Sequence, residues 1–428
     1  MELRDCQIKA LNHYRKKRSS TLYIMATGKG KSVLSLEIIK DRLSSDKGII
    51  LVLCPTQLIR DQLYSLYRNH IPVLIIEGKL VLNKINKLTR VFICCYPTYE
   101  ILSRMEPSFL LSVSLLIIDE VHKLSRETIV NKLIRKVSEI TLVTKIGLTA
   151  TPGSKSNLSG MLRLLSCTED DIYEDREPLF EKKDHIFPIP CSLWRATLLQ
   201  KLREDLLQNF CNRYVLPASL AEFPFNTKPL SQRPYLVSHY LLLNKLTRFA
   251  NGATPQRIKN FYENNLEKSK INFDRYLSKN LVELIKKLGS FSDQRLPFIN
   301  NLSQTKRIIF VDDILMGREL KESLPDCYFI HSKERKEARA VFKILQKKKT
   351  FNLLATSMAE EGLNLSLDEV LNFQVPTTMI KLEQRKGRVG RYRKGEVFYF
   401  NILGTYGSTL LSRFISNKKD IDIITNDN

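Results

Sequence analysis

The chain has 428 residues, is 43% hydrophobic, and carries 68 Lys and Arg against 45 Asp and Glu, a formal net charge of +23. That composition excludes a disordered or fibrous chain, and the length leaves room for about three ordinary domains. No apolar run reaches the ~20 residues of a membrane span, and the opening MELRDCQIKA lacks the apolar core of a secretory leader.

The expectation is a soluble intracellular, cytoplasmic protein with no membrane partner, a nuclear or viral origin left open. An excess of cations this large points to a polyanion, nucleic acid first. Eight cysteines are scattered without a Cys-x-x-Cys pair. They read as buried free thiols in a reducing compartment, not as a zinc site or disulfide framework.

In chain order, apolar runs at 21–26, 49–54, 91–95, 115–118 and 145–149 alternate with amphipathic stretches such as SVLSLEIIKDRL and TQLIRDQLYSLYR. Near-continuous apolar strands separated by helices predict a parallel sheet covered on both faces. Residues 156–300 differ: Trp194, Leu198, Leu202, Leu206 and Phe210 form a helical stripe, followed by prolines at 217, 224, 229 and 234 and then a basic helical pattern. A second alternation follows from 307, with RIIFV, CYFIH, NLLAT, EVLNF and EVFYFNI as strands. The predicted organisation is an α/β domain at 1–155, a mostly helical insert and linker at 156–300, and a second α/β domain at 301–428.

Three stretches carry chemistry. IMATGKGKSV (24–33) follows an apolar strand and opens an amphipathic helix. Backbone N–H groups of the Gly28–Ser32 turn suit a phosphate, Lys31 suits the β- and γ-phosphates, and the Ser32 hydroxyl suits Mg²⁺. Met25 stands where the full phosphate-loop pattern has glycine. LLIIDEVHKL (115–124) ends a buried strand in two acids. Ligands of open α/β sheets bind at that carboxyl edge, where Asp119 suits Mg²⁺ and Glu120 an attacking water. EQRKGRVGRYRKGE (383–396) repeats arginine at 385, 388 and 391, and on a helix Gln384, Arg388 and Arg391 share one face. Guanidinium groups so spaced suit a triphosphate or the charge developing on its γ-phosphoryl group.

Together these stretches resemble superfamily 2 helicases and translocases of the DExH branch. LRDCQ (3–7) resembles the adenine-reading segment and ATGKGKS motif I, in a form where Met25 is no objection. CPTQLIRDQ (54–62) resembles motif Ia, DEVH (119–122) motif II, and LTATPGS (148–154) motif III. RIIFVDD (307–313) sits at motif IV, LLATSMAEEGLNL (353–365) at motif V and QRKGRVGR (384–391) at motif VI. SMAEEGLNL with QVPTTMIKLEQRKGRVGR is most similar to archaeal Hef and the Fanconi-anaemia M-type translocases. XPB-type and restriction-motor groups come second.

The resemblance implies two RecA-like domains and an ATP- and Mg²⁺-dependent helicase or translocase that hydrolyses ATP in the cleft between them, with DNA preferred over RNA; Gln384, Arg388 and Arg391 would close that site from the second domain. It implies Glu120, Lys31, Gln384, Arg388 and Arg391 as catalytic residues. Gln7, Thr27, Gly28, Lys29, Gly30, Lys31, Ser32, Gly362 and Asn364 would hold nucleotide, with Ser32 and Asp119 on the metal. Pro55, Thr56, Thr98 and Thr356 would contact a nucleic-acid strand, and His122, Thr149 and Thr151 would couple the two sites. Relative to the family pattern, Val121 replaces alanine, Ser32 threonine, Asn364 aspartate and Cys6 tyrosine.

An ATP-driven nucleic-acid sensor, or the motor subunit of a larger nuclease or restriction assembly, keeps the same motifs. A nuclease or a replication or repair protein is then the expected partner. ERK at 334–336 resembles a Hef nuclease signature but is followed by Ala340 where that signature has an acid, so no nuclease is expected in this chain.

Overall fold

The computed structural model describes residues 2–77, 89–189, 208, 211–212, 295–312, 314–331, 333–360, 365–376, 378–403, 406–416 and 421–423. They gather into two compact units. The first holds Met1–Glu181, Glu360–Ser366 and Met379–Lys394; the second holds Lys182–Ala359, Leu367–Thr378 and Gly395–Asn428.

The first unit runs α1 (Asp5–Lys17), β1 (Thr21–Met25), α2 (Lys31–Ser45), β2 (Ile49–Cys54), α3 (Gln57–Tyr67), β3 (Val73–Ile75) and β4 (Val91–Cys95). It continues with α4 (Tyr96–Met105), α5 (Pro107–Leu111), β5 (Val113–Asp119), α6 (Ile129–Ile140), β6 (Thr144–Thr149), α7 (Lys155–Leu165) and β7 (Ile172–Asp175). The seven strands form one parallel sheet, in the order β3-β4-β2-β5-β6-β1-β7.

Successive side chains leave a strand on opposite faces. Tyr23, Met25, Val52, Cys54, Ile93 and Leu148 therefore join one core with α1, α2 and α3, while Leu22, Ile24, Leu51, Leu53, Phe92 and Ile118 join another with α4 to α7. Two-sided burial is why these strands read as unbroken apolar runs. Each buried Leu or Ile contributes about 2 kcal/mol relative to exposure. Helix starts use short polar side chains: Thr56 accepts from the Ile59 amide at 3.4 Å, Thr128 from Asn131 at 3.1 Å, and Ser154 from Asn157 at 3.3 Å.

One charge is buried at the start of β6. Lys145 is 2% exposed and donates to Ser166 Oγ at 2.7 Å. Burial lowers its pKa from 10.5 to about 8, only partly opposed by Cys167. Unfolding exposes the amine and restores its ordinary value, so between about pH 8 and 10.5 the unfolded chain binds more protons and stability rises with pH. Below that window the full burial cost applies. Lys145→Met is accordingly expected to stabilise the protein at pH 7 by about 1–3 kcal/mol and by much less near pH 10. Urea unfolding at the two pH values checks this, and no gain at pH 7 rules the account out.

The second unit contains β8 (Lys182–Ile189), β9 (Lys306–Phe310), β10 (Cys327–Ile330), β11 (Phe351–Ala355), β12 (Glu369–Asn372), β13 (Gly395–Ile402) and β14 (Ile421–Ile423). They form a second parallel sheet, in the order β10-β11-β9-β12-β13-β8-β14. Arg307 and Glu369, in register on β9 and β12, make a buried ion pair at 2.6 Å. Both domains are thus of the expected RecA-like class. No helix among the described residues is long and apolar enough to cross a membrane.

The start of the 156–300 segment differs from the helical expectation. α7 and β7 belong to the first unit, and β8 belongs to the second, paired along its length with β13 from Lys182↔Gly395 to Ile189↔Ile402. KKDHIFPI hides a strand because its apolar residues are broken by charges and by Pro188. β14 pairs only with Asp184–Ile186, so the proline lies beyond that pairing, where a missing N–H is tolerated. The Trp194–Phe210 stripe and the prolines at 217–234 lie outside the described residues.

Candidate nucleotide site

The loop between β1 and α2 sits at the carboxyl edge of the first sheet. Met25 is a fully buried strand residue, and its carbonyl accepts the Lys31 ammonium at 3.1 Å. A glycine is not needed there, because the turn is made afterwards. Gly30 adopts φ 81 directly before α2, and a Cβ on it would lie 2.0 Å from Gln7 Nε2. Only glycine meets both demands.

α1 braces the loop. Gln7 Oε1 accepts the Arg4 amide at 2.9 Å, Gln7 Nε2 donates to the Gly30 carbonyl at 3.3 Å, and Arg4 Nη1 donates to the Gly28 carbonyl at 2.7 Å. On the other side the Lys29 ammonium pairs with the Asp175 carboxylate at the end of β7, whose carbonyl also accepts the Ala26 amide at 2.9 Å. Lys29 is thereby 5% exposed and turned into the protein.

Asp119 and Glu120 end β5. Glu120 stands at φ 52 and ψ 47, a left-handed conformation unfavourable for a residue with a Cβ. Its carboxylate lies 3.3 Å from His122 Nδ1, which is also 3.0 Å from Thr149 Oγ1; that hydroxyl accepts the Thr151 amide at 3.1 Å. The three residues expected to couple the sites thus form one chain ending on Glu120. The Tyr96 hydroxyl donates to the Asp119 carbonyl and lies 3.2 Å from the Glu120 carbonyl.

The arginine segment, expected in the second α/β domain at 301–428, belongs instead to the first unit with Met379–Lys394, and not as one helix. The helix Met379–Lys386 stops before Arg388, and Arg388 and Arg391 lie on a turn. Gly387 still donates to the Glu383 carbonyl at 2.8 Å, but the Arg388 amide turns to the Arg385 carbonyl at 3.0 Å and Gly390 takes φ 68, which a helix does not allow. Gly387 packs on Thr27, where a Cβ would stand 2.4 Å from the hydroxyl. Arg391 is anchored by its Nε donating to the Gly387 carbonyl at 3.0 Å. The shared helical face expected for Gln384, Arg388 and Arg391 is therefore replaced by a glycine turn. Gln384 is buried on the helix.

A cavity of ≈ 450 Å³ collects the rest: Gln7, Thr27, Gly28, Gly30, Lys31, Ser32, Asp119, Glu120, Arg388 and Arg391 all line it, with Glu2, Arg4, Tyr392 and apolar α3 residues such as Ile59 and Leu63. Burial would raise the Glu120 carboxyl. The bond to His122 and the cations Lys31 and Arg388 outweigh it and hold the pKa down to about 2. Burial lowers the Lys31 pKa, against the attraction of Glu120 and Asp119 and with help from Arg391 and Arg388. Burial also lowers that of Arg391. Three desolvated cations beside two carboxylates make a site that a polyanion with a hydrated cation would satisfy better than the protein alone. Ser32 and Asp119 offer hydroxyl and carboxylate oxygens, hard donors that fit Mg²⁺.

Other expected residues lie elsewhere. Pro55 and Thr56 follow β2, and Thr98 is in the first turn of α4, so all three stand at the carboxyl edge of the first sheet; Thr56 already serves as the cap of α3. Thr356 follows β11 in the second unit, is 7% exposed, and its amide donates to the Ile330 carbonyl at 3.3 Å. Gly362 and Asn364 are outside the described residues. Sequence reading missed Arg4, Tyr96 and Asp175. Tyr96 alone left a signal, a tyrosine directly after an apolar strand that ends on the same sheet edge as Asp119.

Residues 1–154 match the family model "Type III restriction enzyme, res subunit", and residues 283–393 match "Helicase conserved C-terminal domain". No curated protein matches the chain. Among solved structures, the helicase domain of Hef from Pyrococcus furiosus is similar at 19% identity and TM-score 0.63, over 98% of this chain and 100% of that one. Dbp5 of S. cerevisiae, solved bound to RNA and ADP BeF3, is similar at 12% identity and TM-score 0.61, over 100% of this chain and 90% of that one. These likenesses carry the fold alone, and the family models give a res-subunit-type domain at 1–154 and a helicase C-terminal domain at 283–393.

Proposed function

We propose that the chain is a nucleic-acid-stimulated ATPase that uses hydrolysis of Mg-ATP to move along or unwind nucleic acid, DNA before RNA. The observation that carries this reading is the convergence of Lys31, Asp119, Glu120, Arg388 and Arg391 on one cavity. The branch most favoured is that of Hef and the Fanconi-anaemia M-type translocases, on the sequence of motifs V and VI.

In this reading Gln7 and Arg4 hold the base end, and the Gly28–Ser32 backbone and Lys31 hold the phosphates. Mg²⁺ on Ser32 and Asp119 supplies charge neutralisation at the phosphate oxygens. Glu120 orients the attacking water and accepts its proton. Arg388 and Arg391 stabilise the charge that develops on the γ-phosphoryl oxygens. Pro55, Thr56, Thr98 and Thr356 contact strand phosphates, which positions a strand without reading its sequence.

The test is ATP turnover by the full chain alone and with single-stranded, duplex and branched DNA and with RNA. Stimulation of about tenfold or more by at least one class is expected, falling steeply with added salt as for any polycation on a polyphosphate. Turnover indifferent to all five conditions overturns the reading. The match of residues 1–154 to a restriction res subunit favours a second reading, a motor that works with a partner chain. That reading requires the stimulated ATPase to persist while co-purification brings down a nuclease.

A further inference from the structure

We propose that Tyr96 is the positioning residue through which the nucleic-acid edge of the first unit sets the geometry of Glu120, and so the degree of stimulation. The inference rests on the ATPase reading above and deepens it.

Tyr96 follows β4, and Glu120 follows β5. These strands are not neighbours: β2 lies between them. The phenol therefore spans the end of β2 to reach the Asp119 and Glu120 carbonyls. Those two carbonyls belong to the peptides on either side of the Glu120 α-carbon, so one O–H, donated to the first and shared with the second, touches both halves of the residue that stands at φ 52. A non-glycine residue stays in that region only when its surroundings hold it there. The Glu120 side chain is held separately, by His122 and Thr149. Tyr96 controls the backbone, and the His122 chain controls the carboxylate.

The other end of Tyr96 carries the functional link. It is the first residue of α4, two before Thr98, and the preceding Cys95 pairs in register with Cys54, which Pro55 and Thr56 follow. Strand phosphates held at 55–56 and 98 would bear on this turn. A shift there reaches the Glu120 peptides through a single side chain. Tyr96 is 8% exposed and its ring belongs to the core shared with α4 to α7, so packing fixes the ring while the hydroxyl transmits. A residue kept for packing alone would not require that hydroxyl.

Tyr96→Phe keeps the ring and deletes the donor. In the full chain, ATP turnover is measured with and without a saturating single-stranded oligodeoxynucleotide and a matched RNA. The stimulated-to-basal ratio is expected to fall at least fivefold, with the KM for ATP and the oligonucleotide affinity each within about twofold of wild type. The ratio cancels the active fraction, so partial unfolding does not imitate the effect. An unchanged ratio overturns the proposal, whether or not both rates fall together.

Should the phenylalanine variant not fold, para-fluorophenylalanine at 96 fills the place of the hydroxyl with an atom that cannot donate. The same fall in the stimulated-to-basal ratio is then expected; a ratio like wild type overturns the proposal. A wild-type chain with no turnover, or one matched by Lys31→Ala, brings down the ATPase reading itself. Stimulated wild type with an indifferent Tyr96→Phe brings down only the present inference.

Discussion

Glu120→Gln is expected to cut nucleic-acid-stimulated turnover by about 10²–10⁴-fold while leaving the KM for ATP within a few-fold, and Lys31→Ala to damage turnover and KM together. The contrast follows from the charges in the cavity. Glu120 is a carboxylate whose pKa is held at about 2 by His122, Lys31 and Arg388 against its own burial. At that value it is a poor proton acceptor. On the proposed reading a bound triphosphate would draw Lys31 and Arg388 to itself, weaken their hold on the carboxylate, and so raise its pKa.

Glutamine keeps the shape but takes no proton, and it relieves a negative charge beside the phosphates, so nucleotide still binds. Alanine at 31 removes the ammonium itself. Its Nζ already reaches back to the Met25 carbonyl at 3.1 Å, and its loss leaves the loop with backbone N–H groups alone. Steady-state kinetics with nucleotide-binding measurements separate the two patterns. A fully active Glu120→Gln would remove the carboxylate from the mechanism.

The same depressed pKa has a stability consequence with a definite sign. Stability from ionised Glu120 is present above its ordinary value near 4.5 and is lost as pH falls toward about 2. Glu120→Gln flattens that part of the acid-unfolding profile.

Much of the fold was legible because the inner strands are buried on both faces. β1, β2, β4, β5 and β6 of the first sheet each contain an apolar run that stops at a turn. β3, β7 and β14 were not, being three or four residues long; in so few residues neither a period nor a run can declare itself. β8 is long, but its polar residues find partners that only the sheet provides, as when Tyr399 donates to Asp184 at 3.1 Å.

The site divides in the same way. The Gly28–Ser32 loop and the acids at 119–120 are each contiguous in sequence, so spacing singled them out, and they line one cavity. The Lys29–Asp175 pair depends on β7 lying beside β1, and the Tyr96 bonds depend on β4 lying two places from β5. Strand order is a tertiary fact that no local pattern encodes. Arg388 and Arg391 line one cavity but not from the one helical face expected, because the chain leaves the helix after Lys386 and turns at Gly390.

That glycine turn makes the arginines the sharpest remaining test. Replacing Arg388 and Arg391 together with alanine is expected to lower turnover by about 10³-fold or more, in the range set by arginines that stabilise phosphoryl-transfer transition states. Each single replacement should cost less than the pair but more than half of its logarithm, since on the proposed reading the two guanidinium groups would act together on one γ-phosphoryl group. Arg391 lines the cavity and also donates its Nε to the Gly387 carbonyl. Lysine has no second nitrogen for that division of labour, so Arg391→Lys should rescue little despite keeping the charge. If the doubly neutralised chain hydrolyses Mg-ATP at the wild-type rate, these guanidiniums only stabilise the folded loop, and the cavity's cations must serve an anion other than the transferring phosphate.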